Sequence, residues 1–167
     1  LMNNDFGFLN ALLAVFGIPA IDWLGSPKFA LMSLIIINVW KSVGYNALIL
    51  VSALQGIPPH LYEAARLDRA NTWRTFSRIT FPMISPTVFF LALVDVIAAF
   101  KVFETIQIIT QGGPQNSTNT LVFSLYEYGF QFYKVGYAAA IGVVLFFIVL
   151  LFTILYFAVL SKRVHYQ

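Results

Sequence analysis

The stretch HLYEAARLDRANTWRTFSRITFP, residues 60–82, gathers Arg66, Arg69, Arg74 and Arg78 around Glu63 and Asp68. Guanidinium groups at this density recognise anions and hydrogen-bond acceptors rather than make or break bonds. The parts of covalent chemistry are missing elsewhere. The chain has no cysteine, which excludes disulfides, thiolate catalysis and Cys-based metal sites. His60 and His165 are far apart in sequence and have neither metal-ligand spacing nor a catalytic partner. No GxxxxGK(S/T) run is present, so ATP is not bound by a phosphate loop. Gly112-Gly113-Pro114 reads as a turn, because proline offers no N–H to a phosphate. No enzymatic activity, cofactor or metal is expected. A second set of chemically capable groups (Asn38, Lys41, Asn46, Asp95, Lys101, Glu104 and Gln107) sits inside or beside apolar runs.

The elements that must position these groups belong in a membrane. Of the 167 residues, 59% are hydrophobic and 10% charged, against about 45–50% and 25% in soluble domains. Three runs approach the roughly 20 apolar residues that a spanning helix needs: 29–54, 84–109 and 137–160. The third contains no charge, the first contains Lys41, and the second contains Asp95, Lys101 and Glu104. The opening run 6–18 is too short to span and reads as an interfacial helix. Asp22 to Lys28 reads as a surface turn, with Trp23 at the headgroup level and Pro27 at a helix start. The chain begins with Leu1, with no basic segment before the first apolar run. No signal peptide is expected, and the start reads as a fragment boundary.

Charge sets the expected orientation. The four arginines lie between spans one and two, and Lys162 and Arg163 follow span three. The opposite side carries only Lys28 and Lys134. Lysine and arginine accumulate on the cytoplasmic side, which puts the N-terminus and 110–136 outside and the arginine loop and C-terminus inside. The segment 111–120, QGGPQNSTNT, is a polar turn-rich loop.

Within the arginine loop, Pro58-Pro59 ends the first span and suits the start of a new helix. Leu61, Ala64, Ala65, Leu67 and Ala70 are expected on one broad face. A second short helix from about Thr72 would group Trp73, Phe76 and Ile79 and place Arg74 and Arg78 on its other face. Two readings fit this pattern equally. The helices lie on an anionic leaflet, or the small pair Ala64-Ala65 beside Glu63 admits a protein partner. Binding of nucleic acid is not expected from so short a loop flanked by spans.

The loop resembles the EAA loop of ABC importer permeases. That motif runs Glu-Ala-Ala, three residues, Gly, nine residues, Ile, any residue, Leu, Pro. Here it reads Glu63-Ala64-Ala65, Arg69 at the glycine position, Ile79, then Phe81-Pro82, with Asp68 and Ala70 beside the glycine position. The flanks 54–65 and 109–130 and the tail resemble the carbohydrate branch, so the resemblance covers nearly the whole chain. It implies an all-α integral membrane bundle in a bacterial-type inner membrane, with residues 1–167 as the C-terminal portion of a six-helix permease domain. It also implies that 58–82 forms two coupling helices docking on cytoplasmic ATPase subunits through Glu63, Ala64, Ala65, Asp68, Arg69, Ile79 and Pro82. A second permease subunit, an external solute-binding protein and membrane lipid are the other implied partners. Oligosaccharides, monosaccharides and glycerol-phosphate-type compounds all stay open as substrates. Arg69 departs from the pattern: either it takes glycine's positive φ at about 1 kcal/mol of strain, or the turn is built differently.

Charged groups at membrane depth usually face a bundle interior or a polar cavity. Asn38, Asp95 and Gln107 are the candidates for lining a sugar pathway, set against the commoner use of polar groups as packing between helices. Asp95 is expected to pair with Lys41 or Lys101, and Lys101 with Glu104 on one helix face. Two other functions fit the spans: a secondary transporter or channel driven by an ion gradient, and a membrane anchor or receptor segment without transport.

Overall fold

The computed structural model describes residue 2 and residues 7–160. Phe6, Lys162, Arg163 and His165, which carry expectations above, lie outside the described residues. Among the described residues every regular element is a helix.

Helix α1, Phe8–Val15, is the short opening helix, and α2, Pro27–Gln55, is the first membrane-length one. Proline opens α2 because its fixed φ suits a first turn and its absent N–H is not needed there. The Ser26 carbonyl then accepts from the N–H groups of Phe29 and Ala30. Helix α3, Pro59–Leu67, follows after a short turn, with Pro58 at its N-cap. Helix α4, Thr72–Thr75, begins where Asn71 Oδ1 accepts the Arg74 N–H at 2.8 Å. A wide π turn, Phe76–Thr80, joins α4 to α5, Phe81–Phe100. Thr72–Phe100 is thus one continuous membrane-length helix. Helices α6, Glu104–Ile109, and α7, Leu121–Tyr126, follow, with a second π turn over Glu127–Gln131. Helix α8, Val135–Leu160, is the last membrane-length helix.

The first and third spans match the expected 29–54 and 137–160 closely. The second is displaced: it was expected over 84–109 and occupies 72–100. The helix stops at Phe100, and Val102 and Phe103 pack against the buried Leu34, Ile106 and Phe123. The Val102 carbonyl accepts from Thr120 Oγ1 at 3.3 Å instead of continuing the helix. Lys101 and Glu104 therefore fall on either side of a break, not on one helix face. At the other end the helix runs on through two prolines because each missing donor is compensated. Pro82 cannot bond the Arg78 carbonyl, and just before it the ladder widens so that the Phe81 N–H reaches Phe76 O. Pro86 leaves the Pro82 carbonyl without its usual donor, and Ser85 Oγ donates to that carbonyl at 2.8 Å.

The chain divides into two compact units, Leu1–Trp40 with Phe100–Phe147, and Lys41–Ala99 with Ile148–Gln167. In the first, Ala30, Ser33 and Leu34 are the buried residues of α2. Ser33 Oγ donates to Trp23 O at 2.7 Å. Buried Asn10 holds the surface turn: Nδ2 donates to Ile21 O at 3.0 Å, and Oδ1 accepts from Trp23 Nε1 at 2.8 Å. The loop 111–120 is a turn, as expected, closed by Thr118, whose hydroxyl donates to Gly113 O at 2.7 Å. Gly112 has φ +81° there, and a Cβ on it would meet the Phe123 ring at 2.8 Å. The helical segment 121–131 beyond it was not anticipated from sequence.

In the second unit the core is built from Ile57, Ala65, Ile84, Phe89, Leu91 and Tyr156. The Tyr156 hydroxyl donates to Phe89 O at 2.7 Å, tying α8 to α5. Large apolar side chains such as Leu151, Ile154 and Leu155 on α8 stay exposed, as a hydrocarbon surrounding allows.

Candidate functional site

The loop between the first and second membrane-length helices is a helix, a tight stop and a second helix start. Leu61 and Tyr62 are half-buried and Ala65 is buried, so these form the inward face of α3. His60, Glu63, Ala64 and Leu67, spaced i, i+3, i+4 and i+7, form its outward face, and all four are exposed. This corrects the expected grouping of Leu67 and Ala64 with Ala65. Leu67 is two residues from Ala65, about 160° away around the helix, and it is 85% exposed. The Tyr62 and Thr80 hydroxyls share a hydrogen bond at 3.1 Å, fixing α3 to the wide turn of the next helix.

The stop after α3 is a Schellman motif. The Arg69 N–H donates to Arg66 O at 3.0 Å and the Ala70 N–H to Ala65 O at 2.9 Å. This closure requires a left-handed residue, and Arg69 supplies it with φ +52°. Of the two alternatives for Arg69, the turn is built as glycine would build it. Asp68 is the exposed C-cap residue, with φ −74° and ψ 3°.

Glu63, Ala64, Asp68 and Arg69 are thus exposed together on α3 and its cap, whereas Ala65 points inward. Ile79 and Pro82 belong to the following helix and are half-buried. Sequence reasoning missed two exposed residues, Leu67 and Trp73, the latter 74% exposed. A helical wheel anchored on Ala65 would have found Leu67. Trp73 was expected to share a face with Phe76 and Ile79. Its ring stacks on Phe76 at 5.9 Å, but the next ring in line is Phe81, 6.2 Å from Phe76. The wide turn makes i and i+5 neighbours, so Phe81 joins Phe76.

The polar groups at membrane depth divide between the two units. In the first, Asn38 Nδ2 donates to Leu34 O at 2.8 Å, and its Oδ1 accepts from Thr105 Oγ1 at 3.1 Å. Gln107 Oε1 is buried with no hydrogen-bond partner. In the second, Asp95 accepts from Asn46 Nδ2 at 2.6 Å. The expected lysine partner of Asp95 is therefore replaced by an amide, and Asn46 Oδ1 is left buried without a partner. An open groove of about 410 Å³ in this unit is lined by Tyr45, Leu48, Ile49, Ser52, Ala53 and Thr87. Among the described residues, no three His, Asp or Glu side chains are grouped as metal ligands.

Three membrane-length helices, with a capped helical loop carrying Arg66 and Arg69 between the first two, define a polytopic α-helical membrane protein. The chain belongs to the family described as the binding-protein-dependent transport system inner membrane component, whose profile matches residues 5–166. It is 36% identical over 160 residues to the trehalose/maltose transport system permease protein MalF of Thermococcus litoralis, covering 94% of this chain and 53% of that protein. It is 37% identical over 170 residues to the sn-glycerol-3-phosphate transport system permease protein UgpA of Escherichia coli O157:H7, covering 100% of this chain and 57% of that protein. The chain thus spans little more than half the length of these curated relatives. A similar solved structure is a chain of the bacterial alginate ABC transporter in complex with an alginate pentasaccharide-bound periplasmic protein. Its TM-score is 0.83 at 26% identity, covering 97% of this chain and 56% of that one.

Proposed function

We propose that this chain is the C-terminal part of the permease domain of an ABC importer for sugars or related carbohydrates, and that 58–82 is its coupling loop. The loop takes up the closure of a partner ATPase and passes it to the membrane helices as a two-state rearrangement. The observation that carries this reading is the exposed strip Glu63, Ala64 and Leu67 on α3, within the segment that resembles the EAA motif. Glu63 offers a carboxylate to a basic group, Ala64 permits close approach, and Leu67 is the apolar anchor. Asp68 and Arg69 lie at the rim of that strip, buried Ala65 backs it, and the Tyr62–Thr80 hydrogen bond ties it to the helix that carries the half-buried Ile79 and Pro82. The names of the relatives, which transport trehalose/maltose, glycerol-phosphate and alginate, support a carbohydrate-type substrate delivered by an external binding protein. ATP is hydrolysed by the partner subunits, and a second permease subunit completes the assembly.

The arginine loop and C-terminus face the cytoplasm, and the N-terminus of the chain faces outward; the distribution of lysine and arginine supports this orientation. Asn38, Asp95 and Gln107 contribute to the pathway. The unpartnered Gln107 Oε1 is free to accept a substrate hydroxyl, whereas both ends of the Asn38 amide are engaged within the protein.

The test is co-purification in detergent of the full-length subunit with its cognate ATPase, comparing wild type with Glu63→Arg and Leu67→Asp. Wild type retains the ATPase. Both variants lose it while unfolding at the wild-type temperature, since neither side chain is buried. Retention by both variants refutes the docking face. A wild-type subunit that never retains an ATPase refutes the importer reading and favours ion-driven transport.

A further inference from the structure

We propose that Tyr62 and Thr80 are positioning residues for coupling: their hydrogen bond latches the wide turn Phe76–Thr80, a two-state joint between the loop and α5. This rests on the coupling reading of 58–82 and names the contact through which α3 acts on the membrane helix. The chain before the joint is braced. Helix α3 ends in the Schellman closure, with the Ala70 N–H on Ala65 O at 2.9 Å. Helix α4 starts from its Asn71 cap, with the Arg74 N–H on Asn71 Oδ1 at 2.8 Å. Beyond the joint, α5 runs from Phe81 to Phe100. At the joint itself the Phe81 N–H donates to Phe76 O, five residues back instead of four.

Such a turn has a narrow alternative. If the Phe81 N–H moves to the Ser77 carbonyl, the turn becomes α-helical. The segment before it then swings by about 100° and shifts by about 1.5 Å relative to α5, the step of one helical residue. The wide form keeps the Arg78 carbonyl off the Pro82 ring but gives up regular helical spacing. The narrow form reverses both effects, so a single added contact can choose between them. The Tyr62–Thr80 bond spans this joint. Tyr62 lies on α3, before the turn, and Thr80 is the last residue of the turn. Their hydroxyls are 3.1 Å apart and both residues are half-buried. Among the described residues this is the one side-chain hydrogen bond between α3 and the helix Thr72–Phe100. Narrowing the turn carries Thr80 away from Tyr62 and breaks the bond. The bond therefore holds the wide form while α3 is at rest, and displacement of α3 by a docked ATPase releases it. Neither residue belongs to the exposed strip Glu63, Ala64 and Leu67, so docking and transmission can be separated by mutation.

The experiment is amide hydrogen exchange on the full-length subunit in detergent, alone and in complex with its cognate ATPase, with and without a non-hydrolysable ATP analogue. Tyr62→Phe and Thr80→Val remove the hydroxyls at nearly constant shape, and Thr80→Ser keeps one. The net contribution of a hydrogen bond corresponds to about two- to tenfold in an equilibrium. In the subunit alone, Tyr62→Phe and Thr80→Val therefore raise exchange over 76–81 by about two- to tenfold, and by no more together than singly. Amides of α8 stay unchanged, which separates a loosened joint from a loosened fold, and Thr80→Ser behaves as wild type. In the complex, the ATP analogue raises exchange over 76–81 in wild type. Tyr62→Phe and Thr80→Val still retain the ATPase, but their joint is already loose and responds less. Equal exchange over 76–81 in wild type and these two variants of the subunit alone overturns the latch. An undiminished response of the two variants to the ATP analogue overturns transmission through it. Loosening by the variants in a subunit that retains no ATPase upholds the latch and refutes the coupling reading instead.

Discussion

Arg69→Gly tests the backbone of the loop, where the structure makes a counterintuitive demand: removing a side chain from an exposed arginine stabilises the protein. Arg69 has φ +52°, a conformation that costs an L-residue roughly 1–2 kcal/mol because Cβ crowds the following carbonyl. Glycine removes that crowding but gives the unfolded chain extra freedom, a loss of about 0.4–1 kcal/mol. The side chain itself is exposed, so little contact energy is surrendered. The balance is a gain of about 0.5–1 kcal/mol, or roughly 1–4 °C in the midpoint for 150–250 residues and less for a longer subunit. The assay is thermal unfolding of the detergent-solubilised full-length subunit. Arg66→Gly is the reference, since Arg66 lies within α3 and glycine inside a helix costs about 1 kcal/mol. The two substitutions, three residues apart, should move the midpoint in opposite directions. Arg69→Val should fall below wild type, because a β-branched side chain tolerates positive φ least. If Arg69→Gly lowers the midpoint as Arg66→Gly does, the left-handed stop after α3 is wrong.

Three further outcomes follow from the membrane-length helices. Ser85→Ala should destabilise by about 1 kcal/mol, because the Pro82 carbonyl loses the donor that replaces the missing N–H of Pro86. In a Pro86→Ala background the N–H returns and the same substitution should cost nothing, a double-mutant cycle readable by thermal unfolding. Asp95→Ala and Asn46→Ala should each destabilise, and the cycle between them should show a coupling of about 0.6 kcal/mol, at most about 1.7. Additive effects would mean the 2.6 Å contact is not energetically coupled. Tyr156→Phe should lower stability by about 0.5–1.5 kcal/mol through loss of the bond to Phe89 O; no change in the midpoint would mean that the hydroxyl contributes nothing to holding α8 on α5.

The existence of three membrane-length helices was legible in the residues themselves, because a hydrocarbon surrounding demands long apolar runs whatever they pack against. So were several boundaries. Pro27 and Pro59 mark the starts of α2 and α3, and the helix expected from about Thr72 does begin there. The candidate loop was legible too, as a charge cluster with a recognisable spacing.

Tertiary contact decided the rest. The second span was misplaced because an apolar run does not reveal where it breaks. Only the packing of Val102 and Phe103 on Leu34, Ile106 and Phe123 stops the helix at Phe100. The partner of Asp95 was misjudged because Asn46 is 49 positions away in sequence, and the choice between an amide and a lysine depends on which helix faces which. The outward turn of Leu67 and the alignment of Phe81 with Phe76 come from rotation about a helix axis, set by the burial of Ala65 and by a turn widened beside proline. Composition and local stereochemistry determined which segments are helical and where most begin. Which side chain each helix shows to a partner was decided by the neighbours it packs against, because only burial distinguishes one face of an apolar helix from another.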